Sequence, residues 1–432
     1  MYQQLLIRDL HNHIDTSVTL AGWAWNVRGS GKVVFIRFRD GSGFIQVVAG
    51  TQDLPAEEFE IARHLGQESS VRITGKVVAN EKAPGGIEIQ ASHVELVSAS
   101  HNYPISPKEH GTDFLMDLRH LWLRSPRQQA ILRVRHNIIK AIRDYFDDGG
   151  FTLVDSPIFT PTECEGSSTL FSTQYFEEEA YLSQSGQLYA EAACMAVGRA
   201  YCFGPTFRAE NSNTRRHLTE FWMVEPEVAF MDLAGDMDLA QGLIQSIIRR
   251  VLANCQTELA LLERDVKPLE QVIAGPFPRI SYTEAVEILR GAGVDFNWGD
   301  DFGGADETII SEKFDRPVIV HGYPTSIKPF YMKRDPSNPK VVANMDILAP
   351  EGYGEIIGGS QREENMDVIL AAMTEAKLDP KDYQWYLDLR RYGSVPHAGF
   401  GLGVERTVSW LCKLPHVRET IPFPRLPNRL RP

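Results

Sequence analysis

The first hundred residues of this chain and the rest of it follow different hydrophobic periods, and a chain broken in that way does not fold around a single core. Up to about residue 100, apolar and polar residues alternate in the short runs Val18–Trp25, Val33–Arg39, Gly43–Val48, Val71–Val78 and Ile87–Ala91. A period of two marks strands with one covered face. Turn residues separate the runs, notably Asp40-Gly41-Ser42-Gly43 and Ala83-Pro84-Gly85-Gly86. Five short strands in this space predict an all-β unit that suits a small barrel of the OB type, whose face binds oligonucleotides. A small sandwich suits the pattern nearly as well.

Residues 101–125 carry Pro104 and Pro107 with little apolar periodicity and read as a hinge. The period then changes. Ser125-Pro126-Arg127-Gln128 offers a Ser N-cap, a Pro in the first turn and a Gln placed to close a capping box. Ala130, Val134, Ile138, Ile142 and Phe146 recur every four residues, and Gly149-Gly150 stops the helix. A strand, Phe151–Val154, follows and meets Pro157. Beyond it strands and helices alternate without the beat of parallel βαβ units, which predicts an α+β domain from 126 to the end. With 432 residues, two or three domains are expected.

The formal charge of −13 argues against a nucleic-acid partner only if it is evenly spread. Residues 1–50 instead hold five bases (Arg8, Arg28, Lys32, Arg37, Arg39) against three acids (Asp9, Asp15, Asp40). A local basic patch still attracts a polyanion, because screening confines its field to about 8–10 Å. The five cysteines, Cys164, Cys194, Cys202, Cys255 and Cys412, form no C-x-x-C pair and read as reduced, mostly buried thiols. No run approaches the roughly 20 apolar residues of a membrane span, and the first residues lack a signal-peptide core. These features predict a cytoplasmic protein.

Two phosphate-binding motifs are excluded by their spacing. Gly29-Ser30-Gly31-Lys32 resembles the end of a P-loop, but Asn26 stands at the position of its first glycine and Val33 at that of the Mg²⁺-binding Ser or Thr. Gly399, Gly401 and Gly403 lack the third glycine of a dinucleotide fingerprint, where Val404 stands. Phe207-Arg208-Ala209-Glu210, a polar loop Asn211–Arg216 and His217-Leu218-Thr219-Glu220-Phe221 carry more information. A hairpin built from them sets an arginine, a carboxylate and a ring on one surface. Adenine needs a ring to stack on and an acceptor such as Glu210 for its amine; a phosphate gaining charge needs Arg. A salt-bridged surface hairpin accounts for the spacing equally well. Gly399–Arg406 adds a glycine-rich strand that lies flat against a ligand, with Arg406 at the start of a helix facing a terminal phosphate. A strand packed tightly under a helix, with Arg406 in a structural ion pair, is the plainer alternative.

In order, spacing and residue type, the helix 126–148 with its strand to Pro157, the segment 207–221 and the segment 399–406 resemble motifs 1, 2 and 3 of the class II aminoacyl-tRNA synthetases. The similarity covers nearly the whole chain and is weakest around 230–270 and 365–385. Asp117-Leu118-Arg119-His120-Leu121 and the N-terminal barrel place it in the aspartyl/asparaginyl/lysyl subgroup. The resemblance implies an OB-fold anticodon-binding domain at 1–100, a hinge at 101–125 and a class II antiparallel-sheet catalytic domain at 126–432. It also implies ATP and Mg²⁺, a tRNA partner, no membrane, and a homodimer through motif 1, for which Ala130, Val134, Ile138 and Ile142 would supply the apolar stripe.

Carried over by motif, Arg208, Glu210, Arg216, His217, Leu218, Phe221, Glu355, Gly403, Glu405 and Arg406 would bind ATP, with Arg208, Glu355 and Arg406 catalytic. Asp346 and Glu355 match the Mg²⁺ carboxylates; Gly358 departs from relatives with a serine ligand there. Glu165, Ser185, Gln187, Ala190, Glu225 and Arg362 would form the amino-acid pocket. Ala190 stands where aspartyl enzymes have a lysine for the substrate carboxylate, and Glu225 where they have an aspartate. A neutral amide needs no such lysine, and a donor (Arg362) to its oxygen with an acceptor (Glu225) to its nitrogen reads asparagine. Arg28, Phe35 and Gln46 match anticodon-binding positions, although alternation with Val33 also permits Phe35 to be a core ring. The implied reaction is activation of L-asparagine with ATP and transfer to tRNA(Asn). Rival readings are an aspartyl enzyme that charges both tRNAs, an ammonia-dependent asparagine synthetase and a non-catalytic paralogue.

Overall fold

The structure is a computed structural model that describes residues 5–106, 108–165, 170–212 and 214–432. Pro107 of the hinge, Gly166 beside Glu165 and Asn213 of the polar loop lie outside the described residues. The chain divides into two compact units, Met1–Met116 and Asp117–Pro432.

In the first unit β1 (Ser17–Ser30), β2 (Val33–Arg39), β3 (Phe44–Gly50), β4 (Ser69–Ala79) and β5 (Ile87–Ser98) close into a barrel in the order β1-β2-β3-β5-β4. Closure decides for the barrel over the sandwich. Val34, Ile36 and Phe38 of β2 point inward with Ile45 and Val47 of β3, which leaves the alternate residues outside. The Asp40 carboxylate builds the β2–β3 turn by accepting from the backbone N–H groups of Ser42 (2.8 Å) and Gly43 (3.2 Å). The all-β reading of this unit omits two elements, a 3₁₀ helix at Ile7–His13, whose Ile7 and Leu10 are buried, and α1 (Ala56–Arg63), whose Phe59 and Ala62 pack on the barrel. Eight residues give too few turns for a period of 3.6 to stand out.

The strands of the second unit are β6 (Thr152–Leu153), β7 (Phe159–Thr160), β8 (Ser172–Tyr175), β9 (Glu178–Leu182), β10 (Arg199–Phe207) and β11 (Glu220–Ala229). They continue with β12 (Arg279–Ser281), β13 (Val318–His321), β14 (Asn344–Ala349), β15 (Gly354–Gln361) and β16 (His397–Gly403). The helices after α1 are α2 (Thr112–Asp117), α3 (Arg119–Trp122), α4 (Pro126–Asp148), α5 (Gln187–Val197), α6 (Leu233–Asn254) and α7 (Gln256–Leu261). Then come α8 (Lys267–Ile273), α9 (Tyr282–Gly291), α10 (Gly304–Ser311), α11 (Met366–Glu375), α12 (Gln384–Arg391) and α13 (Val404–Leu411). Eight strands form one sheet, β12-β13-β14-β15-β16-β11-β10-β6, antiparallel except for the pairs at its two ends. One face of it (Val224, Ile357, Phe400, Leu402) is buried with α4 and α6 in a single core. The other face is left for the site.

Two expectations about α4 need correction. Ser125 does cap the helix through the N–H of Gln128 (3.3 Å), but the box stays half made. The Gln128 side chain accepts from Arg119 (2.7 Å) and donates to Glu419 (2.8 Å) instead. Arg119, the buried arginine of the Asp117–Leu121 phrase, also donates to the carbonyls of Ile421 and Pro422, both at 2.9 Å. Burial lowers its pKa to about 10 despite the nearby Glu419 charge. The second correction concerns Ala130, Val134, Ile138 and Ile142. They are buried against Ala240, Leu243, Ile247 and Val251 of α6 within the protomer, so the stripe is not a free interface. Burial of each large side chain contributes about 1.5–3 kcal/mol to this core.

Candidate active site

The open face of the sheet is organised by register. Asp346 of β14 lies opposite Gly358 of β15, Gly358 opposite Gly401 of β16, and on the next pair Glu225 of β11 lies opposite Cys202 of β10. A β-carbon on Gly401 would displace the end of the Met223 side chain, so the glycine leaves the floor flat here. Above this row is an open cleft. Its walls bring together all ten residues of the expected nucleotide set: Arg208, Glu210, Arg216, His217, Leu218, Phe221, Glu355, Gly403, Glu405 and Arg406. Met223, Ile356, Gly401 and Val417 complete it.

Arg208 is the distinctive group. Its guanidinium lies 5.4 Å from the centre of the Phe221 ring, and its buried Nε has no hydrogen-bond partner. Among the described residues it makes no ion pair. Burial works against its charge, but Glu165, Glu355, Glu210 and Glu225 surround it and raise its pKa above the ordinary value. Arg406 donates to the Glu355 carbonyl (2.8 Å) and lies 3.5 Å from its carboxylate. Burial raises the Glu355 pKa, yet Arg406, Lys328 and Arg208 outweigh it and hold the carboxyl low.

His217 lies 3.9 Å from Glu210, with its Nδ1 against the Thr214 hydroxyl; burial and Arg406 lower its pKa. Arg216 is already engaged, donating to Glu307 and Thr308 of α10 at 2.9 Å each and to the Gly352 carbonyl. Burial and the like charge of Glu355 push Glu307 up to about 7. Glu405 is paired with Arg135 of α4 (2.7 Å) and accepts from the Trp222 N–H (2.9 Å), tying α13 to β11.

The six residues of the expected amino-acid pocket are also gathered, and all but Glu165 are buried. Glu225 accepts from the Ser185 hydroxyl, from the Gly186 N–H (2.8 Å) and from Cys202 (3.4 Å), leaving one lone-pair direction free. Burial raises its pKa against these bonds. Arg362 donates through Nε and Nη2 to Glu227 and through Nη1 to Ser360 (2.8 Å). Gln187 donates to Glu191 (3.1 Å), Glu165 accepts from the Tyr331 hydroxyl (2.9 Å), and Ala190 is fully buried on α5.

Among the described residues no three His, Cys, Asp or Glu side chains gather as a metal cluster. Two carboxylates do share a gap. A β-carbon on Gly358 would lie 2.9 Å from Glu355 Oε1 and 3.5 Å from Asp346 Oδ1, so the glycine leaves that space open. The other Asp346 oxygen is held by Lys328 at 2.8 Å.

In the first unit, Phe35 is 43 % exposed, which excludes a core ring. Arg28 lies opposite it across β1 and β2. Gln46 donates to Glu88 (2.9 Å) on the neighbouring β5. Between them the sequence reading missed a platform, in which Arg37 lies 4.9 Å from the Trp25 ring and 5.2 Å from the Phe44 ring. Its signal was the same alternation that exposed Phe35. Lys328, Glu307, Glu227 and Glu191 were also missed, and lone charges in apolar runs give no signal of their partners.

Residues 111–427 match a family described as tRNA synthetases class II (D, K and N), and residues 18–97 match the OB-fold nucleic acid binding domain. The chain is 59 % identical over 437 residues to an asparagine–tRNA ligase of Sorangium cellulosum, covering 98 % of each. It is 55 % identical to that of Desulforamulus reducens over the whole of both chains. The structure of Pyrococcus horikoshii asparaginyl-tRNA synthetase complexed with asparaginyl-adenylate superposes with a TM-score of 0.97, at 46 % identity and 100 % coverage of both chains.

Proposed function

Since this chain belongs to the class II tRNA synthetases of the D, K and N group, and among them to the asparagine–tRNA ligases, we propose how its residues divide the work. The protein activates asparagine with ATP and transfers it to tRNA(Asn). In the first step the asparagine carboxylate attacks the α-phosphorus in line; a P–O bond forms and the bond to pyrophosphate breaks. The half-buried Arg208 carries this reading, because a cation that has no side-chain partner among the described residues and lies between Phe221 and four carboxylates is placed for an anionic ligand. It meets the charge that develops on the α-phosphate. Phe221 and Glu210 receive adenine, while His217, Arg216 and Arg406 face the outer phosphates. Ser185, Gln187, Glu225 and Arg362 bind the side-chain amide, and Glu165 the ammonium. No side chain acts as general base, and positioning with fixed charge suffices.

Asp346 Oδ1 and Glu355 Oε1 fit Mg²⁺, a hard cation that takes one or two carboxylates along with substrate phosphates. When bound, the ion supplies neutralisation of phosphate charge. We place the enzyme in the cytoplasm, which suits its five unpaired buried cysteines. No helix among the described residues is long and apolar enough to cross a membrane.

ATP–pyrophosphate exchange with each amino acid in turn tests the activity. Exchange is expected with asparagine and essentially none with aspartate; equal rates would overturn the specificity.

The homodimer is assigned to a different surface from the α4 stripe. Leu153, Ile158, Phe159, Tyr175 and Phe176 on and beside β6, β7 and β8 are exposed apolar residues, with Phe159 and Tyr175 rings 5.6 Å apart. A patch of this kind on a soluble chain is a binding surface. Light scattering at micromolar concentration should give twice the mass of 48.6 kDa, and Phe159→Glu with Phe176→Glu should halve the observed mass. A monomeric wild-type protein would contradict the assignment.

A further inference from the structure

Beneath the asparagine pocket lies a set of charges that the reaction does not use. Glu191, on the turn of α5 after Gln187 and directly after Ala190, is fully buried. Its carboxylate accepts from Gln187 Nε2 (3.1 Å), from the Tyr386 hydroxyl (2.8 Å), from Arg390 Nη2 (2.8 Å) and faces His397 Nε2 (3.0 Å). Among the described residues it is the only carboxylate that Arg390 bonds; the other Arg390 partners are the Tyr386 hydroxyl and the Glu363 carbonyl. Burial opposes its charge, but Arg390 and His397 prevail and hold it well below the usual carboxylate range. Its charge also acts on Arg362, whose backbone N–H bonds the His397 carbonyl (2.9 Å).

Asparagine and aspartate have nearly the same shape and differ by a charge. An arginine with free donors binds a carboxylate at least as well as an amide, so Arg362 alone does not choose between them. The choice requires that positive charge around the amide be cancelled. Glu227 cancels Arg362 by two hydrogen bonds. Arg390 and His397, one layer deeper, face Glu191.

We infer that Glu191 is a specificity-determining positioning residue: it fixes the Gln187 amide and cancels the buried positive charge under the pocket, so that the amide side chain is accepted and the carboxylate refused. The inference rests on the reading of Ser185, Gln187, Glu225 and Arg362 as the asparagine subsite. It is separable from packing, because Glu191→Gln keeps the shape and, with its oxygen toward Gln187, the acceptor there, while removing the charge and turning an NH2 toward Arg390 and His397.

The test compares kcat/KM for asparagine exchange with the inhibition constant of aspartate in three variants. Removing one buried charge changes the energy of a second one several ångströms away by an amount worth about tenfold or more. Glu191→Gln is therefore expected to bind aspartate about tenfold more tightly relative to asparagine, with KM for ATP unchanged. Arg390→Met removes the opposing charge and is expected to move the ratio the other way, whereas Tyr386→Phe removes a neutral donor and should leave it in place. Opposite signs exclude a general loosening of the pocket, which would move all three alike. If Glu191→Gln does not fold, the Arg390→Met ratio decides alone. Ratios unchanged or shifted in one direction in the charge variants overturn the inference while wild-type exchange with asparagine stands; failure of that exchange would remove the underlying reading as well.

Discussion

Arg208→Ala is expected to lower asparagine-dependent pyrophosphate exchange by about a thousandfold or more, a loss of about 4 kcal/mol of transition-state stabilisation. The size follows from the site. Arg208 lies beside the Phe221 ring and faces Glu165, Glu355, Glu210 and Glu225, makes no side-chain hydrogen bond or ion pair among the described residues, and has an enclosed Nε without a partner there. A group that does so little for the ligand-free fold loses little when removed from it. The surrounding carboxylates outweigh the burial of its charge, so the variant should stay folded with a thermal transition no higher than that of the wild type. Arg406→Ala should depress exchange comparably. Its removal also releases Glu355, which accepts from Arg406 through its carbonyl at 2.8 Å. Normal exchange in either variant, measured at saturating ATP and asparagine, would take that residue out of the mechanism.

The second large effect is expected far along the chain from the chemistry. Phe35→Ala should leave pyrophosphate exchange unchanged and reduce the efficiency of tRNA charging by roughly tenfold to a hundredfold. Loss of one base stack is worth about 1–3 kcal/mol. Phe35 is 43 % exposed between the buried Val34 and Ile36, so its truncation opens no cavity, and stability should change by no more than about 0.5 kcal/mol. Gln46→Ala should act in the same direction but less severely. It carries a structural side effect, since Glu88 is almost buried and loses the amide that donates to it at 2.9 Å. If Phe35→Ala lowered exchange and the thermal transition together, with charging reduced only in proportion, the base-stacking role would pass to the Trp25, Arg37 and Phe44 platform.

What the sequence determined by itself is whatever depends on neighbours along one element. Alternation set Val34, Ile36 and Phe38 on one face of their strand and Phe35 on the other, because successive side chains take opposite faces, and closure of the barrel decided which face is inside. The resemblance of the segments 207–221 and 399–406 to known motifs named one nucleotide set, and the pairing of β11 with both β10 and β16 lines a single cleft with it. Tertiary structure decided the rest. The four-residue repeat of α4 specifies an apolar stripe but not its partner, and α6 rather than a second copy covers it. Ser125 and Gln128 have the spacing of a capping box, yet a buried guanidinium nine residues away, on Arg119, takes the glutamine. The pairs that set the charge of the site join residues far apart in the chain: Glu191 and His397 are separated by 206 positions, Arg362 and Glu227 by 135, and Arg216 and Glu307 by 91. Periodicity carries no memory over such distances. Only the folded backbone brings these groups within hydrogen-bonding reach, and only there does burial make each charge require its partner.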